Sequence, residues 1–237
     1  MVLLLIALAS LIGMQKSGVS TQPLPLHLEL DAGVLAVRSK NNTQSINTNL
    51  DASYDFGKNT LSIYGGYLKT STQGTDSALH WLGGARYDYE FMPQSRVFLD
   101  YNSEADPFIG YVQRNNESLG YSYIVYQKQN LKWWMDFAYL HSKTDVVRSG
   151  TIYESKAFFA TYTSWKFTKD WSLDGWFQLI PNFTTPDQDM INYQFSVTSI
   201  MNPWISLRGA YLVRYIEQPY LRDRYQTLTT LSLVSSF

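Results

Sequence analysis

The sequence predicts an all-β protein, a transmembrane antiparallel up-and-down β-barrel of about 12 strands. Three observations lead to this fold: period-two alternation of apolar and polar residues, alternating short and long connections, and an unusual composition. Charged residues make up only 16% of the 237-residue chain, and aromatic residues make up another 16%. Soluble domains carry roughly 25% charged residues. The composition therefore indicates side chains divided between an apolar surface and a polar one.

The net charge and the absence of cysteine exclude several other classes. A formal net charge of −1 gives no electrostatic basis for binding nucleic acid. Without cysteine, the chain forms no disulfide and has no thiol chemistry. We predict no cofactor and no metal site.

Residues 1–20 predict a secretory signal peptide, with a cleavage site that the sequence does not fix. The apolar run from Val2 to Gly13 is shorter than the roughly 20 residues that span a bilayer, and it has the length of a signal-peptide core. A polar, proline-containing stretch follows it. The alternative is a buried N-terminal helix. Residues 21–26 would then form a short N-terminal segment, and residues 27–237 the barrel.

Period-two alternation recurs throughout residues 27–237. In the segment LKWWMDFAY, residues 131–139, Trp133 and Phe137 share one face, whereas Lys132 and Asp136 share the other. Successive side chains of a strand point to opposite faces, so each segment has an apolar and a polar side. Twelve strands are predicted, near residues 27–38, 45–56, 60–71, 77–91, 95–103, 109–126, 131–142, 152–167, 171–182, 190–201, 204–216 and 225–237.

The connections between these segments alternate in length. Five tight turn signals lie at Gly57-Lys58-Asn59, Pro93-Gln94-Ser95, Lys128-Gln129-Asn130, Lys169-Asp170 and Asn202-Pro203. Longer polar segments lie between them, at 39–44, 72–77, 104–108, 143–151, 184–189 and 217–223. An even number of strands with short periplasmic turns and longer outer loops is typical of bacterial outer-membrane barrels. We therefore predict an outer-membrane location with both chain ends in the periplasm.

A soluble lipocalin-like barrel or a β-sandwich is the alternative fold, with its apolar faces turned inward. Tyrosine and tryptophan near strand ends, such as Tyr87, Trp133 and Trp171, favour the membrane barrel. Such rings form aromatic girdles at the lipid headgroups.

The polar faces carry charges of both signs at mid-strand. In a narrow lumen these charges would form an ion network that rigidifies the barrel, because a confined charge needs partners. The alternative is a constriction that selects solutes by charge. We favour the ion network. The predicted lumen residues are Asp51, Arg86, Asp88, Glu90, Asp100, Asp136, Lys156 and Arg208.

No catalytic residues are predicted. Among the three histidines, His80 is expected to form hydrogen bonds in the lumen and His141 to lie at a solvated rim. Ser142 adjoins His141, but neighbouring residues of a strand face opposite sides. The sequence contains no G-x-S-x-G, H-E-x-x-H or glycine-rich phosphate loop.

The last strand predicts an assembly signal. Leu231 and Leu233 precede the terminal Phe237 at alternate positions, a pattern that resembles the signal read by the bacterial barrel-assembly machinery. In a closed barrel this strand must also pair with the first one. The expected partners are this machinery, periplasmic chaperones, outer-membrane lipids and lipopolysaccharide, and the barrel is expected to be a monomer.

Residues 28–237 resemble the DUF481 family, known as salt-induced outer-membrane proteins. The resemblance rests on two stretches, LELDAGVLAVRSKNNTQSINTNLDASYDFGKNTLSIYGGY and LGGARYDYEFMPQSRVFLDYNSEADPFIGYVQRNNESLGYSY. This chain differs from the family pattern at two places. It has Asn41-Asn42-Thr43 where the family tends to have Gly-Asn-Thr, and it has Ala105-Asp106-Pro107-Phe108 at a turn where the family pattern is acidic-Asp-Phe-like. The resemblance implies a barrel, and it brings no catalytic residues.

Three functions remain open. The favoured one is a narrow channel for small solutes or ions, because twelve strands enclose a lumen wider than about eight strands do and narrower than roughly 16–18 do. The second is a structural or envelope-stress barrel with a blocked lumen. The third is an outer-leaflet enzyme, a lipid or peptide hydrolase, that uses His80 or His141.

Overall fold

A closed antiparallel β-barrel forms the described part of the chain. The computed structural model describes residues 25–37, 43–108, 110–147, 149–202, 204–217 and 224–236. Within these ranges there are twelve strands, each paired with its sequence neighbours, and β1 pairs with β12 to close the barrel. The predicted fold class is confirmed.

The described strands are long, from 10 to 18 residues. Their bounds are β1 Leu26–Val37, β2 Thr43–Phe56, β3 Asn59–Thr72, β4 Thr75–Met92, β5 Ser95–Asp106, β6 Tyr111–Gln127, β7 Leu131–Val146, β8 Gly150–Lys166, β9 Trp171–Ile180, β10 Met190–Asn202, β11 Ile205–Ile216 and β12 Tyr225–Ser236. Within the described ranges, no helix is long and apolar enough to cross a bilayer.

Two of the predicted outer loops are wrong. Residues 72–77 do not form a longer loop, because β3 and β4 are joined by Gln73 and Gly74 alone. Both have positive φ, 53° and 80°, as the type I′ hairpin turn requires. Similarly, β7 and β8 continue through most of residues 143–151. The polar side chains of these segments indicated loops. Two paired strands nevertheless extend past the membrane wherever their backbone groups continue to hydrogen-bond to each other.

The longest described connection on the outer side is residues 181–189, between β9 and β10. It contains a single 3₁₀ turn, Pro186–Gln188. Side chains and backbone groups hold it in place: the Asn182 amide N–H donates to Asp189 Oδ1 at 2.7 Å, and the Asn182 side chain accepts from the backbone of Thr184 at 3.0 Å. We expect this connection to be the most accessible of the described outer segments.

The exterior of the barrel is apolar. Ile63, Leu99 and Leu119 are 54%, 57% and 61% exposed, whereas their strand neighbours Ser62 and Phe98 are buried inside. Four exposed tryptophans lie beside the tight turns: Trp133, Trp165, Trp171 and Trp204. An apolar belt bounded by amphipathic rings is the surface that a bilayer solvates.

The lumen is less polar than the alternation suggested. Trp134 and Tyr162, which lie on the lumen side of β7 and β8, stack with their ring centroids 5.0 Å apart. They belong to a buried apolar cluster to which β3, β6, β7, β8, β9 and β11 contribute: Leu68, Ile124, Trp134, Ala160, Tyr162, Trp176 and Leu212. Large side chains therefore occupy much of the interior.

Some predictions lie outside the described residues. These are the signal peptide at residues 1–20, residues 21–24 of the N-terminal segment, most of the predicted outer loops at 39–44 and 217–223, Pro203 of a predicted turn, and Phe237. Leu233 lies on the outer face of β12 at the closing seam, opposite Ala32 of β1.

The lumen as candidate functional site

Charged side chains in the lumen lie at two levels, which we call the inner ring and the outer ring. Side-chain contacts define the levels. At the inner level Arg86 binds Asp88 and Asp136, and Arg208 lies beside Glu29 and Asp31. At the outer level Glu104 lies beside His80 and Arg114. On β11, Arg208 of the inner ring and Arg214 of the outer ring are six residues apart. A rise of about 3.3 Å per residue and a tilt of about 45° put these two residues about 14 Å apart along the axis.

The inner ring lies nearer the tight turns, and the outer ring nearer the outer connections. The inner ring is Glu29, Asp31, Asp51, Arg86, Asp88, Asp100, Asp136, Asp174 and Arg208. The outer ring is His80, Glu104, Arg114, Glu154, Lys156 and Arg214. The inner ring thus has seven carboxyl groups and two guanidinium groups.

Arg86 organises one half of the inner ring. Its Nη2 and Nε donate to Asp88 at 2.7 and 3.0 Å, and its Nη1 donates to Asp136 at 2.7 Å. The guanidinium carbon lies 3.6 Å from the centroid of the Phe98 ring. Since charge-assisted hydrogen bonds are roughly twice as strong as neutral ones, Arg86 fixes the positions of two buried carboxylates.

Two glycines make room for the aromatic rings beside Arg86. A Cβ at Gly84 would come within 2.5 Å of the Tyr64 ring, and a Cβ at Gly120 would collide with Phe98. A glycine inside a strand often marks such a close approach. With its ring over Gly84, Tyr64 donates to Asp100 at 2.6 Å.

Arg208 organises the other half of the inner ring. Its Nη1 lies 2.8 Å from Glu29 Oε1 and 3.6 Å from Asp31 Oδ2, and its Nε donates to Thr198 Oγ1 at 3.2 Å. Asp51 lies opposite Glu29 in the ladder. The Arg208 guanidinium therefore pairs with two carboxylates, those of Glu29 and Asp31.

The outer ring is a mixed network. Glu104 accepts from Tyr111 Oη at 3.0 Å and lies 3.4 Å from His80 Nε2 and 3.5 Å from Arg114 Nη1. Three strands along the wall, on β8, the Lys156 ammonium donates to Glu154 at 2.9 Å. In the part of the chain that the structure describes, no three His, Asp or Glu side chains are grouped so as to hold a metal ion.

The predicted lumen residues divide among three places. Six of them meet in the inner ring: Asp51, Arg86, Asp88, Asp100, Asp136 and Arg208. Lys156 lies in the outer ring. Glu90 stands apart toward the tight turns, where it pairs with Arg96 at 3.1 Å.

The histidines lie on different sides of the wall. His80 is buried in the lumen, whereas His141 faces outward and stacks on Tyr153 with ring centroids 6.2 Å apart. Ser142 is buried in the lumen, so it and His141 are on opposite faces.

Sequence reasoning missed several members of the rings. The alternation that predicts a lumen position for Asp51 also places Glu29 and Asp31 on one face of β1. This alternation could have identified both residues as lumen residues. The arginines of the outer ring were missed because Arg114 and Arg214 lie near strand ends, where a charged residue fits a solvated rim equally well. The missed residues are Glu29, Asp31, Asp174, Glu104, Arg114, Glu154 and Arg214.

Two cavities lined by described residues lie along the lumen. The larger, about 180 Å³, extends between the rings and is lined by both of them. The smaller, about 30 Å³, lies below and is lined by Asp88, Lys132 and Trp134 among others. Arg86 and Tyr162 line both cavities. The boundary between the two cavities is therefore formed by side chains of the inner ring and its apolar neighbours.

Comparison with known proteins identifies a family and a fold. The model of a family described as "Protein of unknown function, DUF481" matches residues 30–237. No curated protein matches the chain in sequence.

Several solved structures have the same fold. The COG4313 outer membrane channel from Pseudomonas putida F1 is 10% identical, with a TM-score of 0.58 over 96% of this chain and 100% of that one. The NanC porin is 10% identical, with a TM-score of 0.56 over 88% of this chain and 98% of that one. The translocator domain of the autotransporter NalP from Neisseria meningitidis is 8% identical, with a TM-score of 0.50 over 92% and 89%. At these identities the likeness shows the fold, that of outer-membrane β-barrels.

Proposed function

The chain belongs to the DUF481 family and is an integral outer-membrane β-barrel, and from this premise we propose that it is a narrow channel for small solutes or ions. The observation that carries the proposal is the lumen itself: a cavity between the rings continues toward a second one, and side chains form the boundary between them. Both boundary residues, Arg86 and Tyr162, are buried, so passage between the cavities requires these side chains to move.

The solved relatives in fold support this choice. The Pseudomonas protein is described as a channel and NanC as a porin. Both are matched along nearly their whole length, so the likeness includes the closed barrel that surrounds a pore and is not restricted to a few strands.

The inner ring is the proposed constriction. Its Arg86 lies with the neighbouring Tyr162 at the boundary between the cavities. The carboxyl groups of the inner ring outnumber its guanidinium groups. Rings of Asp and Glu side chains favour cations in pores. We therefore expect potassium to permeate more readily than chloride.

Planar bilayer recordings of the refolded protein test the proposal. We expect discrete conductance steps, and a reversal potential in a KCl gradient that shows cation preference. Asp51→Asn and Asp100→Asn should reduce that preference. Asp76→Asn, which removes a carboxylate exposed at the outer rim, should leave it unchanged. No conductance above that of protein-free bilayers would contradict the channel.

The second candidate is a structural or envelope-stress barrel with a blocked lumen. The buried apolar cluster around Trp134 and Trp176 favours it, because those rings occupy space that a solute needs. Trp176→Ala should then open a conductance that the wild type lacks. Conductance already present in the wild type would contradict this candidate.

The proposal includes no enzymatic activity. Among the described residues, Ser142 Oγ donates to Asn116 at 2.7 Å, and neither His80 nor His141 is hydrogen-bonded to a serine. A serine hydrolase needs its nucleophile, base and orienting acid within reach of one another. Replacing both histidines with Gln should leave any lipid- or peptide-cleaving activity of the purified protein unchanged, and a specific loss would reinstate the enzyme.

We also propose that the functional unit is one chain inserted by the barrel-assembly machinery. The strand order supports a monomer, because β1 and β12 of the same chain close the barrel and leave no open edge for a second copy. Cross-linking in membranes should give no specific dimer.

A further inference from the structure

Two charges on the wall of the larger cavity lack an ion-pair partner. Arg214 of the outer ring and Asp51 of the inner ring both line the cavity. Among the residues that the structure describes, neither has an oppositely charged atom within 4 Å. The guanidinium nearest Asp51 in the ring, that of Arg208, is bound to Glu29. Charges in a confined lumen are costly unless a counter-charge approaches them.

The cavity between these two charges has an apolar wall. Leu140, Phe158, Ile180 and Met190 line it on consecutive strands, β7 to β10. The same side carries Gln194, which is buried at 6% exposure and whose Oε1 has no hydrogen-bond partner. An amide oxygen of this kind accepts a hydrogen bond from an ammonium or hydroxyl group.

We infer that this cavity binds a small organic zwitterion whose anionic and cationic groups are separated by an apolar chain. The anionic group lies toward Arg214 and the cell exterior, and the cationic group lies toward Asp51 and the periplasm. The inference rests on the proposed channel function, since the solute reaches the cavity through the mouths of the barrel.

The size of the cavity limits the ligand. Its volume of about 180 Å³ is slightly more than the roughly 150 Å³ that holds benzene in an engineered protein core. A chain of about ten non-hydrogen atoms fits that space.

The separation of the rings limits the ligand further. Because they lie about 14 Å apart along the axis on β11, an α-amino acid, whose two charged groups are attached to one carbon, cannot approach both. A simple carboxylate or a simple amine neutralises only one of them. An ω-amino acid has both groups at the two ends of an apolar chain.

The test uses 6-aminohexanoate as the probe, with hexanoate, hexylamine and glycine as matched controls. Binding to the detergent-refolded protein is measured by isothermal titration calorimetry. We expect 6-aminohexanoate to bind at least about tenfold more tightly than each control, the difference that one additional charge-assisted contact provides. Equal affinity for 6-aminohexanoate and hexanoate would overturn the inference.

Variants test the two ends separately. Arg214→Gln should abolish the advantage of 6-aminohexanoate over hexylamine, and Asp51→Asn its advantage over hexanoate. Lys132→Gln, which removes a charge from the wall of the smaller cavity, should change neither. Folding of each variant is judged by heat-modifiable gel migration. If a variant fails to fold, the affinities of the wild type for the four probes still test the preference for a zwitterion. Unchanged preferences in both folded variants would overturn the inference.

Bilayer recordings separate this inference from the proposed function. Ion conductance without preference for 6-aminohexanoate in calorimetry overturns the zwitterion site and leaves the channel intact. Preferential binding without conductance overturns the channel and leaves the site. Preferential binding together with a concentration-dependent reduction of the ion current by 6-aminohexanoate supports both.

Discussion

Replacing Arg86 with Gln should destabilise the barrel by about 3 kcal/mol. The change removes three hydrogen bonds and the cation above the Phe98 ring. It also leaves Asp88 and Asp136, which are 3% and 1% exposed, without their counter-charge. Breaking a buried ion pair from one side typically costs about 3–5 kcal/mol. We expect the lower end of this range, because the smaller cavity adjoins both groups and can admit water.

The assay is urea-dependent folding into lipid vesicles, followed by tryptophan fluorescence and gel migration. Lys132→Gln is the control: it also removes one lumen cation, but this side chain is only half-buried, and its ammonium lies 5.1 Å from the Trp134 ring. It should cost no more than about 1 kcal/mol.

A double variant sharpens the test. Arg86→Gln combined with Asp136→Asn should lose less stability than Arg86→Gln alone, because a buried carboxylate without a partner is more costly than a neutral pair. A folding free energy for Arg86→Gln within 1 kcal/mol of wild type, or additive losses in the double variant, would refute the assignment of Arg86 as the organiser of the inner ring.

Three further predictions concern topology, facing and assembly. A tag in residues 181–189 should be labelled on intact cells and one at Lys58 should not; the reverse result would show that the barrel has the opposite orientation in the membrane. Phe137→Arg, on the lipid face, should destabilise folding in vesicles by about 2–4 kcal/mol, whereas Ala138→Arg, on the lumen side, should cost less; equal losses would contradict the assigned faces. Deleting Phe237 should lower the amount of protein in the outer membrane while leaving refolding in vitro nearly unchanged, and normal surface levels would show that assembly does not read this residue.

The alternation of side chains was sufficient to predict the barrel and most of its wall. Trp133 and Asp136, for example, are three positions apart, and because the side-chain period of a strand is two, an odd separation sends them to opposite faces. The same rule placed Asp51, Arg86 and Arg208 inside. It could not predict that polar outer segments continue as strands, because the two sides of a hairpin extend each other through backbone bonds that do not depend on side-chain polarity.

The sequence by itself determined the fold, the number of strands, and which face of each strand is apolar, because these depend on local periodicity and turn chemistry. Only the tertiary structure decided which lumen residues meet. Arg86 and Asp136 are 50 positions apart in sequence yet bonded at 2.7 Å, and Glu90, close to Arg86 in the chain, pairs elsewhere. The height of a residue inside a barrel depends on the tilt and register of all the strands together. The combined tilt and register of the closed sheet bring charges from distant strands together in an inner and an outer ring. The sequence of a single strand does not contain this information.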